Sequence, residues 1–325
     1  MSESIVPLEK ARVSHPQNLT QIFQRYGLFI FLVLLIIIAT LVSPQFMTVT
    51  NMQDVLNQAA PLGMVTIGQT FVILTGGLDL SVSSLMATVA VIAVSVGGAS
   101  NAMSPVVVLL ALAVGIILGL VNGWLVTERK VSPFLATLAT MIVLQGIRFA
   151  YTKGAPSGNL APVFRTLGTE NLLGMPINLI ALAILTAIFA VVLYRSAYGR
   201  KLYMVGGNAR AAYLMGIHSN RVTMLAYIIC SVMASLAGLF LVGYVGSVDN
   251  WVGRGYELDS IAAALMGGAS FKGGQGGLFS SLAGVLTLVI LFNLVLLLGL
   301  PVQGQLIVKG VVIILATAFY LSRGK

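Results

Sequence analysis

Carboxylate side chains that could do chemistry are scarce in the first half of this chain and lie beside long apolar segments. Asp54 and Asp79 are the only carboxylates between Glu9 and Glu128. A carboxylate at the centre of a bilayer costs about 2.5–3.5 kcal/mol on insertion scales, so such a residue usually has a function or lies near an interface. Two interpretations stay open for these aspartates: a helix cap or interhelical hydrogen bond, or a contact with a proton or a substrate.

Neutral amides are the other polar groups in the apolar segments, at Gln58, Gln69, Asn122 and Asn293. These side chains could hydrogen-bond the hydroxyl groups of a sugar. Amides also hold membrane helices together, at roughly 0.6–2 kcal/mol for each interaction. For Arg148, which lies near the end of an apolar run, we expect the guanidinium to snorkel to the membrane surface.

The sequence contains no pattern for catalysis or metal binding. His15 and His218 belong to different predicted segments, and no group of His, Asp and Glu has metal-ligand spacing. The pattern G-x-x-x-x-G-K-[ST] is missing, so the chain is predicted not to hydrolyse ATP itself. A single cysteine, Cys230, allows no disulfide within the chain. We therefore expect a protein that is not an enzyme and that holds no metal.

The elements that carry these residues must be membrane helices. Hydrophobic residues make up 58% of the chain, charged residues 8%, and the mean hydropathy is +0.99. The stretch from Leu80 to Thr127 has no charged residue and is long enough for two spans of roughly 20 residues each. The net charge of +9 does not require nucleic acid, because membrane proteins keep Lys and Arg in cytoplasmic loops. The sequence predicts an all-α polytopic membrane protein with no nucleic-acid partner.

Apolar runs between polar residues predict about ten transmembrane helices. Basic residues then collect on one side, at 128–130 and 195–221, whereas only Lys153, Arg165 and Arg254 fall on the other. By the positive-inside rule both termini are cytoplasmic, with a tail at 1–26, a transmembrane domain at 27–325 and a cytoplasmic loop at about 195–221. The predicted crossings are 27–43, 54–75, 81–97, 105–126, 131–151, 176–194, 221–245, 257–270, 277–298 and 304–321.

Two of these crossings are interrupted. The run from Thr75 to Ser81 places two glycines and Asp79 between apolar segments, where Asp79 or Ser81 could cap the next helix. The segment 257–270 is short and leads into the glycine cluster 273–277, so it either spans the membrane or re-enters from one side. Irregular backbone at membrane depth survives only where protein or a water-filled cavity surrounds it.

The basic loop contains a second feature, a short helix predicted from Asn208 to Met215. Asn208 can cap it, alanines favour it and Gly216 can end it. A short exposed helix with small residues is a docking surface, although an ordinary basic loop has a similar composition.

Several ordered motifs give the chain a family resemblance after residue 45. GQTFVILTGGLDLSV at 68–82, VNG at 121–123 and KVSPFLATLAT at 130–140 come first, and GR at 199–200, GGN at 206–208, LMGI at 214–217 and GYELDSIAA at 255–263 follow. In this order they resemble the permease subunits of bacterial ABC importers for ribose, xylose, arabinose and galactosides. Ala209 stands where many relatives have Glu, and Ser83 where a Gly is common.

The resemblance implies an ABC importer permease fold that moves a monosaccharide by alternating access. Its implied partners are cytoplasmic ABC ATPase subunits, which hold ATP and magnesium, a periplasmic sugar-binding protein and a second permease copy or paralogue. The chain itself would hold no cofactor and would be a multi-pass protein in the lipid bilayer of the bacterial inner membrane. An ion-coupled secondary transporter using Asp79 or Asp54 is the main alternative, and an intramembrane enzyme is a weaker one.

The resemblance also groups the candidate residues by role. The short cytoplasmic helix would contact the ATPase, polar and glycine positions would line the translocation path, and exposed charges would receive the binding protein. The ATPase-coupling residues are Gly207, Asn208, Ala209, Arg210, Leu214, Gly216 and Ile217; the path residues are Gln69, Gly76, Gly77, Asp79, Ser81, Asn122 and Asn293; the docking residues are Arg165, Glu170, Asp249 and Arg254.

Overall fold

The computed structural model describes residues 19–301, 303–308, 310–311 and 314, with side chains from residue 27 onward. Most of the predicted tail at 1–26 and most of the predicted crossing at 304–321 therefore lie outside the described residues. The helices are α1 (Leu19–Val42), α2 (Val49–Leu74), α3 (Val82–Gly97), α4 (Ser104–Thr127), α5 (Pro133–Thr152), α6 (Pro162–Thr169), α7 (Ile177–Tyr194), α8 (Ala197–Gly207), α9 (Ala209–Leu214), α10 (Ser219–Val245), α11 (Tyr256–Met266) and α12 (Leu278–Leu297).

Residues 303–308, 310–311 and 314 are also helical, and two small elements accompany the helices. A single 3₁₀ turn, Asn101–Met103, precedes α4. Strands β1 (Asn171–Leu172) and β2 (Met175–Pro176) pair antiparallel, with Asn171 opposite Pro176. The described chain is otherwise helical or irregular, so the prediction of an all-α fold is confirmed in its main feature.

Five segments of the described chain form helices long and apolar enough to cross a membrane: Asn101–Thr127, Pro133–Thr152, Ile177–Tyr194, Ser219–Val245 and Leu278–Leu297. Two shorter apolar helices are Gly27–Val42 and Val82–Gly97. Exposed side chains on α5 and α7 are largely apolar, as at Ile147 and Ile184. Such surfaces are stable only in an apolar solvent, so the chain is a polytopic membrane protein.

Helices α2 and α10 form the buried centre of the bundle. Their backbones lie so close that a Cβ added to Gly68 would be 2.6 Å from Cys230 Cα. On the other side of α10, a Cβ added to Gly119 of α4 would be 2.5 Å from Ile228 Cα. Small residues allow this approach, which strengthens dispersion contacts between membrane helices. The centre therefore depends on glycines spaced along α2 and α4.

The two ends of the bundle differ, and we name them by their contents. The inner end carries α8 and α9 together with the loop 267–277. The outer end carries α6, the β-hairpin and the loop 246–255. The names follow the charge pattern of the sequence, since Arg195, Arg200, Lys201, Arg210 and Arg221 belong to the inner end.

The segment 257–270 is helical only as far as Met266 of α11. Gly267 and Gly268 end the helix, and Gly268 has a positive φ of 85°. The chain then forms an irregular loop that contacts the inner ends of α2 and α8, whereas Tyr256 begins α11 beside the outer loop. Helix and loop together thus connect the two ends of the bundle.

Candidate translocation site

The interruption between α2 and α3 is a turn organised by Asp79. After Leu74 the chain turns through Gly76, whose φ is +80°. Asp79 Oδ1 then accepts hydrogen bonds from the Ser81 backbone N (2.9 Å) and from Ser81 Oγ (2.6 Å). The carboxylate thereby fixes the backbone just before α3 begins, which is the role of a residue that precedes a helix.

A buried network of hydrogen bonds joins this turn to α4 and α5. Asn122 Nδ2 donates to Ser81 Oγ (2.9 Å), and Thr140 Oγ1 donates to Asn122 Oδ1 (2.7 Å). From α2, the Gln69 amide can pair with the Asp79 backbone, donating to its carbonyl and accepting from its N–H at 3.2 Å each. The structure thus brings four predicted path residues together, at Gln69, Asp79, Ser81 and Asn122, all fully buried.

Two further hydroxyl groups hold the same turn at the Leu78 carbonyl. Tyr227 OH of α10 donates to this oxygen at 3.3 Å, and Thr137 Oγ1 of α5 is 3.5 Å from it. Asp79 Oδ2 has no hydrogen-bond partner among the described residues. The turn is therefore attached to four helices through hydrogen bonds to its Leu78, Asp79 and Ser81 groups.

At the inner end, three glycine-containing segments meet through their backbones. Gly274 N donates to the Leu74 carbonyl at 2.9 Å. A Cβ added to Gly206 would overlap that same carbonyl oxygen, and one added to Gly273 would lie 2.8 Å from the Gly206 carbonyl oxygen. Only residues without a Cβ allow this approach. We call this contact the glycine junction and define it by Gly76, Gly206, Gly207, Gly273 and Gly274.

Two tyrosines of α8 donate hydrogen bonds to neighbouring segments beside the junction. Tyr203 OH donates to the Gly276 carbonyl at 2.9 Å, and Tyr198 OH donates to the Val222 carbonyl at 3.1 Å. Burial, with a smaller effect of Tyr194, raises the pKa of Tyr203 to about 12. Burial also raises the pKa of Tyr198. Both phenols thus stay protonated and keep donating at neutral pH.

The short inner helix is present as predicted, over Ala209–Leu214. Asn208 Oδ1 accepts from Ala211 N at 2.9 Å, and Gly216, with a φ of +79°, follows its end. Ala212 faces the protein, whereas the Leu214 side chain is 76% exposed. The other predicted coupling residues are exposed apart from half-buried Ile217: Gly207, Asn208, Ala209, Arg210 and Gly216.

Helix α8 was not predicted from the sequence. Its glycines at 199, 206 and 207 disfavour a helix, yet Ser196 caps one by accepting from Gly199 N at 3.1 Å. This helix begins directly after α7 and ends at the glycine junction. It therefore connects α9 to the interruption beside Asp79.

Of the remaining predicted residues, Gly77 lies within the turn, and the others lie apart from this network. Asn293 exchanges hydrogen bonds with Asn51 of α2 near the outer end, at 2.7 and 3.0 Å. Gly77 is buried beside Tyr227, and Asp54 is exposed. The four predicted docking residues are exposed on the outer loops: Arg165, Glu170, Asp249 and Arg254.

The expectation that Arg148 snorkels to the surface is wrong. Its side chain is 5% exposed, because the loop 246–255 folds over it. Its Nη1 donates to the Ser84 carbonyl at 2.9 Å, and its Nη2 donates to the Asn250 carbonyl at 3.0 Å. No pattern in the sequence indicates this contact, because Asn250 is far from Arg148 along the chain. Among the described residues, no group of His, Cys, Asp and Glu could hold a metal ion.

The sequence of the chain is similar to those of known transport proteins. The family model described as "Branched-chain amino acid transport system / permease component" matches residues 51–317. The ribose import permease protein of Bacillus subtilis (strain 168) is 38% identical over 298 residues, which are 91% of this chain and 92% of that protein. The ribose import permease protein of Escherichia coli (strain K12) is 39% identical over 300 residues, 91% of this chain and 92% of that protein.

A third relative is named for a different substrate. The galactofuranose transporter permease protein of Escherichia coli (strain K12) is 34% identical over 292 residues, 87% of this chain and 85% of that protein. No solved structure matches the chain.

Proposed function

The chain belongs to the family of ABC importer permeases described as branched-chain amino acid transport system permease components, and from this premise we propose that it moves a monosaccharide into the cytoplasm, driven by ATP hydrolysis in partner subunits. Its ribose and galactofuranose relatives support a sugar as the substrate, either a pentose or a hexose. A missing phosphate-binding loop agrees with ATP hydrolysis in another chain.

The continuous connection from α9 to the Asp79 turn carries this proposal. Tyr213, Leu214 and Met215 present an exposed apolar tip at the inner end, which suits a groove on a cytoplasmic ATPase subunit. Behind this tip, α8 reaches the glycine junction, and the junction adjoins the turn that Asp79 organises. Movement of α9 by the ATPase would thus shift the interruption between α2 and α3, and alternating access requires such differential contacts.

The exposed surfaces of the chain support the proposed partners. Exposed charges at Arg165, Glu170, Asp249 and Arg254 would steer a periplasmic sugar-binding protein to the outer loops. A second permease copy or paralogue would pack in the bilayer beside this chain. We propose that the chain crosses a bacterial inner membrane about ten times and has both termini in the cytoplasm. Its parts would be a tail at 1–26, the permease domain at 27–325 and, within that domain, the coupling loop at about 195–221.

The test is reconstitution in liposomes with the candidate ATPase and binding protein. ATP hydrolysis is measured with and without a panel of pentoses and hexoses, and we expect stimulation that requires all three components. Leu214→Asp places a charge on the apolar tip, so we expect at least about a tenfold loss of stimulation with normal insertion. Leu214→Met is the matched control, because it keeps an apolar side chain and should retain stimulation.

Ion-coupled transport is the outcome that would contradict the proposal. Uptake by the chain alone, driven by an ion gradient and abolished by a protonophore while ATP remains, would favour a secondary transporter using Asp79 or Asp54. Full stimulation in Leu214→Asp would contradict α9 as the docking helix without deciding the substrate.

A further inference from the structure

A cavity of about 390 Å³ opens at the outer end between α3, α5 and the loop that leads into α11. Its volume is within the range of small-molecule sites, which is about 300–1,000 Å³. The polar and aromatic side chains of the lining come from α5, from the loop and from the first turn of α11: Gln145, Arg148, Asn250, Trp251, Arg254 and Glu257. These residues belong neither to the Asp79 network nor to the glycine junction.

Arg148 lines the cavity, and its guanidinium bonds to protein. Its Nη atoms donate to neutral oxygens of Ser84, Thr88 and Asn250. Its Nε is buried and has no hydrogen-bond partner among the described residues. A buried donor without a partner costs about 1–3 kcal/mol, and more when the group is charged.

The other lining groups indicate the class of ligand. Glu257 offers acceptors, although its Oε2 already accepts from Gly255 N at 2.8 Å, and the Gln145 amide offers both a donor and an acceptor. Trp251 is 48% exposed, with its ring packed edge-on against Phe149 and beneath Arg254. The lining carries the guanidinium groups of Arg148 and Arg254 and one carboxylate, and Arg148 already donates to neutral oxygens of the protein. Donors, acceptors and an aromatic ring together fit a neutral molecule with several hydroxyl groups.

The cavity is closed toward the inner end by apolar side chains. Leu80, Ile261 and Leu265 are buried against one another, and Leu138 and Met141 pack on them. Met141 also lines the cavity, so this apolar cluster lies directly beneath it. A polar solute that entered from the outer end would stop here until the helices moved.

We propose that this cavity is a transient monosaccharide site within the permease, in which the Gln145 amide and the Glu257 carboxylate bond sugar hydroxyls beside Trp251. This inference rests on the proposed function, because sugar import supplies the ligand class. Binding must be weak, since a transported solute has to leave again, and half-saturation is expected at about 1–10 mM.

Tryptophan fluorescence tests the site on the full chain without partner subunits. The chain has two tryptophans, so Trp124→Phe leaves Trp251 as the only one. Purified protein of this background is titrated with the same panel of pentoses and hexoses, and with inorganic phosphate. We expect a saturable change for at least one sugar and none for phosphate. In the same background, Gln145→Leu and the isosteric Glu257→Gln should each raise the half-saturating concentration at least about tenfold.

The matched control is Gln58→Leu, because Gln58 is an amide of α2 that does not line the cavity. It should leave the titration unchanged. A change with phosphate alone would overturn the sugar assignment. No change with any sugar, in a protein whose complete system hydrolyses ATP in response to sugar, would overturn the cavity and leave the proposed function standing. Sugar binding at Trp251 without sugar-dependent ATP hydrolysis would support the cavity and contradict ATP-driven import.

Discussion

The outer cavity and the glycine junction lie at opposite ends of one bundle, and the contacts that join the helices and loops differ between the two places. Around the cavity, side chains join the elements, as where Arg148 of α5 reaches the carbonyls of Ser84 and Asn250. At the junction, backbone meets backbone, and Gly206 lies against the Leu74 carbonyl with no side chain between them. Side-chain contacts can change with a ligand while the helices stay in place. Where backbone packs directly on backbone, no side chain can change its rotamer to accommodate a shift of one segment. The shift is therefore transmitted to the next segment.

The largest expected effect comes from adding a side chain at the junction. In Gly206→Val the new Cβ would overlap the Leu74 carbonyl oxygen. Because backbone must move to relieve the overlap, we expect a loss of at least about 3 kcal/mol in the free energy of unfolding. The measurement is the midpoint of denaturant unfolding in detergent. Gly207→Ala is the matched control, since a Cβ added there meets nothing within 4 Å. A parent-like midpoint for Gly206→Val would show that α8 is not held in this way.

The junction also marks where prediction from the sequence failed. Helix α9 was predictable because its signals are local, with Asn208 as the cap and Gly216 at the end. Helix α8 was not, because Gly199 and Gly206 discourage a helix by propensity, whereas here they permit close contact with other backbone. Tertiary packing decided the outcome, and no local pattern in the sequence carries that information.

Long-range contacts limited the prediction of the site in the same way. Gln69, Asp79, Ser81 and Asn122 were predicted to line one path together with Gly76, Gly77 and Asn293; the structure joins the first four in one network and places Asn293 elsewhere. Arg148 was wrongly placed, because its burial depends on the loop around Asn250, which is about a hundred residues away. Apolar periodicity locates a residue on a helix, but it does not tell which loop covers it.

The second prediction tests whether the outer end tolerates a changed side chain. Arg148→Met keeps much of the buried aliphatic volume and removes the charge. The Asn250 carbonyl then loses its donor, at a cost of about 1–3 kcal/mol, while loss of the buried charge offsets part of it. We therefore expect a smaller loss of unfolding free energy than in Gly206→Val, measured in the same detergent. An equal or larger loss would remove the contrast between the two ends.

The smallest expected effect concerns the tyrosine that fastens the junction. Tyr203→Phe removes the hydrogen bond from Tyr203 OH to the Gly276 carbonyl while keeping the ring. We expect a loss of about 0.5–1.5 kcal/mol in the free energy of unfolding near neutral pH. Comparison of parent and variant in detergent measures it. No loss would mean that backbone contacts alone hold the loop 267–277 to α8.

The pH dependence of this difference separates a side-chain contribution from a backbone one. Burial raises the pKa of Tyr203 from its ordinary value of 10.0 to about 12, so the folded chain keeps the phenol proton where the unfolded chain loses it. The parent therefore loses stability as pH rises from about 10 to about 12, whereas the variant without this hydroxyl lacks the titration. The difference between parent and Tyr203→Phe should be constant from about pH 7 to about pH 9 and should shrink above about pH 10. A difference that stays constant to about pH 12 would show that the phenol is open to water, and the inner junction would then rest on its glycines alone.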